Sequence, residues 1–338
     1  MGLLTGSYVA VRHGDAPSLM ASDLTWVLRG ANALQQGQNP YTVPVSPLPY
    51  WNDQPLFYPL PALLIVSPLA QLPDYLAAGV FFGSASALLT FVLIAYKPIL
   101  LPLLLSATYS YALLQVQWAP LLLSCAFLPG LSILLLCKPN VGLPLLVIHR
   151  DKRIWLVIAG VLIGTLLILP SWPIDMLANT SAHHNFIPVL TGLGWLLVPA
   201  LLRWRDSTYW PFLIFMFMPQ RSFYDQLPIW LVCRTWKEAL LLTAGSWIAF
   251  FGWPLFQITR DEAVVICLYL PAMVIMMRPS LAAAYASYRT HSFTTCASVY
   301  ERFVWLWTYV VAGVSTAVPS TIRAYGKALL EKTRINAD

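Results

Sequence analysis

Hydrophobic and polar residues are segregated along this chain into long blocks. From residue 1 to 57 the sequence is mixed and polar, and helical spacing is confined to 23–36, where Leu24, Val27, Leu28, Ala31 and Leu34 fall on one face. That pattern predicts a short amphipathic helix lying at a membrane surface, stopped by Gly37. Pro40, Pro44, Pro47, Pro49, Pro55, Pro59 and Pro61 then exclude a helix over 38–61 and predict an ordered loop.

Apolar blocks follow at 58–72, 75–96, 98–116, 119–137, 139–148, 154–169, 186–202, 209–218, 227–233, 239–256, 263–277 and 303–318. A membrane-crossing helix takes about 20 apolar residues, so the shorter blocks must be tilted, re-entrant or broken within protein. The expected fold is all-α, a polytopic transmembrane helical bundle. It divides into an interfacial segment at 1–57, a bundle at 58–277, and a C-terminal span with a basic cytoplasmic tail at 278–338. The basic clusters at 149–153, 203–206 and 234–237 mark the cytoplasmic side by charge bias, which leaves 171–185 and 219–226 on the other. Lys97 is cytoplasmic if the 139–148 block does not cross, and outside if it does.

Composition supports this solvent assignment. Hydrophobic residues make up 58% of the chain and charged residues 10%, against about 25% charged in an ordinary soluble domain. The net charge of +6 sits in small clusters between apolar runs, with no basic stripe or stacking platform, so no nucleic-acid partner is implied. Cys125, Cys137, Cys233, Cys267 and Cys296 form no CxxC pair and read as small buried hydrophobes. His183 and His184 are adjacent and lack the i, i+4 spacing of a helical metal pair, so no metal is expected. Residues 1–21 contain Arg12, His13 and Asp15 and have no continuous apolar core of a signal peptide.

In such a chain each acid is informative, because a charge near hydrocarbon needs a partner or a task. Asp151, Asp206, Glu238, Asp261, Glu262, Glu331 and Asp338 lie in short charged loops or at the terminus, and Asp53 and Asp74 read as turn residues. Asp23 opens the amphipathic helix, as a first-turn acid favoured by the helix dipole or as a general base at the mouth of a cavity. Asp225 is an ion-pair partner of Arg221 or a substrate contact. Lys138 is a snorkelling lysine at a helix end or a phosphate contact.

The order of these features resembles a known family. Asp23, Arg29-Gly30-Ala31-Asn32-Ala33-Leu34, Gly37, Asn39-Pro40-Tyr41 and Phe57-Tyr58-Pro59-Leu60-Pro61 look like the N-terminal signature of the GT-C polyprenyl-phosphate-sugar-dependent glycosyltransferases, most of all the bacterial mannosyltransferase-like family 87. Gln117 is similar to the Gln of a Gly-Gln element, Lys138-Pro139 to the family's Lys-Pro, and Tyr224-Asp225 to a late Tyr-Asp or Tyr-His position. The likeness covers about residues 20 to 235. Three departures stand out: Val116 replaces Gly before Gln117, Leu60 follows Tyr58-Pro59, and the transmembrane helix expected ahead of Asp23 is absent or reduced to 2–11.

The resemblance implies inverting transfer of a sugar, mannose or a relative, from a polyprenyl-phosphate donor to a glycan or glycolipid acceptor. The reaction would occur on the exoplasmic face of the bacterial cytoplasmic (inner) membrane. It implies Asp23 as the base, Tyr58, Gln117, Lys138, Tyr224 and Asp225 as substrate-binding residues, membrane lipid as surroundings, and no cofactor. Two other readings compete: a transporter or flippase for lipid-linked sugars, and an inactive scaffold subunit.

Overall fold

A computed structural model describes residues 1–15, 23–45, 56–180, 185–221 and 223–278. Regular structure among them is helical, apart from one isolated antiparallel bridge between Phe186 and Gln220. The α-helices are α1 (Gly2–Asp15), α2 (Asp23–Gln35), α3 (Leu60–Val66), α4 (Asp74–Tyr96), α5 (Ala107–Leu114) and α6 (Ala119–Cys125). They continue with α7 (Pro139–Leu146), α8 (Lys152–Ile168), α9 (Trp172–Thr180), α10 (Trp210–Phe215), α11 (Trp236–Leu255) and α12 (Arg260–Val264). Three long 3-10 segments, Pro98–Leu105, Pro129–Cys137 and Gly192–Arg203, lie between them. Each contains proline (Pro98 and Pro102, Pro129, Pro199), which removes backbone donors that a continuous α-helix would use.

The segment ahead of Asp23, expected to hold at most a reduced helix at 2–11, forms a 14-residue helix over Gly2–Asp15 that packs along α4. Gly2 and Gly6 meet Gly79 and Gly83, and a Cβ on Gly6 would lie 2.8 Å from the Gly79 carbonyl oxygen. Small residues four apart on both helices let the backbones touch, the packing mode of helices in lipid.

Helix α2 forms where the periodicity predicts and stops at Gly37, whose φ is +75°. The Gly37 and Gln38 N–H groups return to the Leu34 and Ala33 carbonyls, satisfying the helix end. Much of it packs against protein. Thr25, Gly30 and Ala33 are buried along with the apolar stripe, and Gly30 sits against the Leu56 and Leu63 side chains. Small residues extend its contact face beyond the stripe, while Arg29 and Gln35 stay exposed.

Contacts give the bundle two ends. At one, Arg150 donates to Ser207 Oγ, Arg234 donates to the Tyr209 hydroxyl, and Lys97 Nζ donates to the Leu231 carbonyl at 2.9 Å. At the other, Phe186 and Gln220 pair, Asn39 donates to Asp175 Oδ2 at 3.2 Å, and Arg12 donates to the Leu114 carbonyl at 2.9 Å. Helix α8 joins the basic end to the other over roughly 26 Å at 1.5 Å per residue. The 119–137 block does not run straight: it turns back at 126–128, where Phe127 stacks on Tyr96 at 6.3 Å. Lys97 therefore shares the basic end with His149, whose Nε2 lies 2.9 Å from the Cys125 carbonyl oxygen. The 58–72 block likewise divides into the seven-residue α3 and a short 3-10 turn.

By length and composition α4 is long and apolar enough to cross a membrane, and α8 with α9, bent by 92° at their break, makes a second if the pair is one span. On α8 only Ile158 and Thr165 are buried, while Leu156, Val157, Ile163 and Leu167 are exposed. The C-terminal span and tail expected at 278–338 lie, beyond Arg278, outside the described residues.

Candidate active site

Asp23 is held through both its backbone and its side chain. Its N–H donates to the Gln115 carbonyl, just past α5, at 3.1 Å, and the Tyr58 hydroxyl donates to its Oδ2 at 3.1 Å. The carboxylate is half-buried, whereas Tyr58 is buried. Burial first, then the negative charge of Asp23, raises the Tyr58 phenol well above its ordinary range, so the hydroxyl stays a donor. Tyr58 is itself anchored: the Tyr41 hydroxyl donates to its carbonyl at 2.9 Å, and Asn179 donates to the carbonyls of Tyr41 and Leu56 at 3.0 and 2.8 Å. Asn179 thus ties together the two chain segments that flank Pro44–Pro55 in sequence.

The second half of the site is a buried ionic cluster. Lys138 Nζ lies 2.7 Å from Asp225 Oδ1, donates to Gln117 Oε1 at 2.9 Å, and sits 4.8 Å from the centre of the Tyr224 ring. Asp225 Oδ2 also accepts from Asn140 Nδ2 at 2.8 Å and from the Arg221 backbone N–H at 3.1 Å. An ammonium has three donors, and here they meet a carboxylate, an amide oxygen and an aromatic face. Lys138 is therefore buried and internally satisfied, which corrects the snorkelling reading. Asp225 pairs with Lys138 in place of the expected Arg221 guanidinium, because only the Arg221 backbone points at it. Gln117 Nε2 is buried without a hydrogen-bond partner among the described residues.

The two halves adjoin. Asp23 and Asp225 both act electrostatically on Tyr58 and on Tyr224, whose phenol is raised well above its usual range chiefly by burial and then by Asp23. Tyr111 stacks on Tyr224 at 5.7 Å and adds an aromatic wall. All six residues singled out from sequence, Asp23, Tyr58, Gln117, Lys138, Tyr224 and Asp225, thus come together at the end opposite the basic loops.

Backbone strain marks the same place. Val116 has φ +50° and Phe223 has φ +71°, values that suit glycine and cost a β-branched or aromatic residue about 1–3 kcal/mol. They immediately precede Gln117 and Tyr224. Val116 terminates α5 in a left-handed cap: its N–H returns to Leu113 and that of Gln117 to Ala112. The geometry at Val116 is one that glycine adopts more readily.

Sequence reasoning missed Asn140, Tyr111 and Asn179. A lone amide inside an apolar block was the available signal for Asn140; nothing in sequence distinguishes Asn179 from a surface amide. Asp74 begins α4 and does not occupy the expected turn, and Asp175 is bound by Asn39 and Ser171. Asp53, His183, His184, Cys296, Glu331 and Asp338 lie outside the described residues, among which no group of three metal-ligating side chains occurs. No protein-family model, curated protein or solved structure matches the chain.

Proposed function

We propose that the chain is a multi-pass membrane glycosyltransferase that moves a sugar, of the mannose type, from polyprenyl phosphate to a hydroxyl of a glycan or glycolipid acceptor. The observation that carries this reading is the convergence of Asp23 with the Tyr58, Gln117, Lys138, Tyr224 and Asp225 group from five distant parts of the chain. The membrane setting is supported by the exposed apolar faces of α8 and by the gathering of basic loops at one end, which the positive-inside rule assigns to the cytoplasm. Asp23 then belongs to the exoplasmic side of a cytoplasmic membrane.

In the reaction the acceptor oxygen bonds to the anomeric carbon on the face opposite the phosphate. The carbon–oxygen bond to phosphate breaks, and its electron pair leaves with the lipid phosphate. Asp23 takes the acceptor's proton, an action worth about 10²–10⁴ in rate. Tyr58 fixes the carboxylate through Oδ2, which directs the other oxygen to the acceptor. The Lys138–Asp225–Gln117 cluster forms a rigid polar floor, and the orphan Gln117 amide supplies a donor to a substrate oxygen.

The test is transfer of radiolabelled mannose from polyprenyl phosphate by purified protein in lipid. Asp23→Asn and Asp23→Ala should each lose at least about 100-fold in rate while keeping wild-type expression and elution. Unchanged transfer by either variant would remove Asp23 from the mechanism.

A further inference from the structure

The donor's phosphate needs positive charge, and Lys138 has none to spare. Its ammonium is directed at Asp225, Gln117 and the Tyr224 ring, so a phosphate there would have to displace contacts in a buried ion pair. Two other cations border the same aromatic wall. The Arg221 guanidinium lies 5.7 Å from the centre of the Phe57 ring, next to Tyr58, and acts electrostatically on Tyr224. Arg260 lies 4.7 Å from the centre of the Trp253 ring and acts on the Tyr111 hydroxyl, as does Asp23. Neither guanidinium forms an ion pair with a carboxylate among the described residues.

We infer that Arg221 and Arg260 form an anion subsite that grips the phosphate of a lipid phosphodiester, while Lys138 holds Tyr224 and Asp225 in place. Two observations beyond the free guanidiniums support it. Both guanidiniums lie beside aromatic rings, and the planar N–H fork of arginine matches the oxygens of a phosphate. Arg221 is additionally fixed at its base, because its own N–H binds Asp225 and its carbonyl accepts from Gln226 Nε2 at 2.8 Å. Lipid-linked and free phosphate share this chemistry, and the hydrocarbon tail would add affinity for the former.

The inference rests on the transferase reading for the identity of the phosphate, but its test is a binding measurement without a sugar. Wild-type protein in nanodiscs is titrated with polyprenyl monophosphate and, separately, with inorganic phosphate. Arg221→Gln and Arg260→Gln should each weaken both by about tenfold or more, with the lipid remaining the tighter ligand. Arg221→Lys should recover only part of the loss, because it keeps the charge and loses the fork. Thermal melting at the wild-type temperature establishes that the variants are folded. Wild-type protein that binds neither probe, or a double variant that binds polyprenyl phosphate as tightly as wild type, would overturn the subsite. Arginine-dependent binding without sugar transfer would instead refute the transferase reading and leave the subsite standing.

Discussion

At the scale of single residues the site is a set of satisfied polar contacts with a few groups left over. Lys138 and Asp225 are the most committed: removing one partner strands a charge at a position with almost no solvent, which costs about 3–5 kcal/mol. Lys138→Met should therefore lower stability by that amount in detergent melts, while Lys138→Met with Asp225→Leu should recover much of it. Additive losses in the double variant would contradict the pairing. Asp23 differs in kind, since it is half-buried and only one of its oxygens is bonded to Tyr58. A change there should spare stability and affect chemistry.

Among the elements, helix contacts decide which sequence signals could be read correctly. The periodicity of 23–36 and the stop at Gly37 were legible because both are local: one stripe of apolar residues and one left-handed φ. The burial of α2 was not legible, because it depends on Leu56 and Leu63 arriving from another part of the chain. For the same reason Asp225 could not be matched with its partner. Arg221 is near in sequence, yet the side chain that reaches Asp225 comes from Lys138, 87 positions away. The α1–α4 contact was written in Gly2, Gly6, Gly79 and Gly83, but the two pairs acquire meaning only when set against each other. That contact is backbone to backbone, and a Cβ on Gly79 would lie 2.8 Å from both the Gly6 carbonyl oxygen and Ala10 Cβ. Gly79→Leu should cost about 1–3 kcal/mol or more by overpacking, read as a lowered melting temperature. No change in melting would mean that α1 does not pack there in solution.

For the described residues as a whole, the blocks of apolar sequence correctly indicated all-helical structure, and the expectation that some blocks are broken is met. Prolines and tight turns divide several blocks, such as 119–137, into pieces that go and return, so Lys97 joins the basic end. What emerges is a polarised body: the basic loops that carry Lys97, Arg150 and Arg234 gather at one end, and Asp23 with its tyrosines and the Lys138–Asp225 pair gathers at the other. Under the proposed function, that polarity would let a lipid carrier meet an acceptor outside the cytoplasm. It is tested most directly by membrane-impermeant thiol labelling of intact cells that express a variant lacking the five native cysteines, with one cysteine added at a time. Thr42→Cys, exposed near Asn39 at the Asp23 end, should label fully, and Lys152→Cys, exposed at the start of α8, should label only after the membrane is permeabilised. The reverse pattern, or equal labelling of both in intact cells, would contradict an outward-facing site.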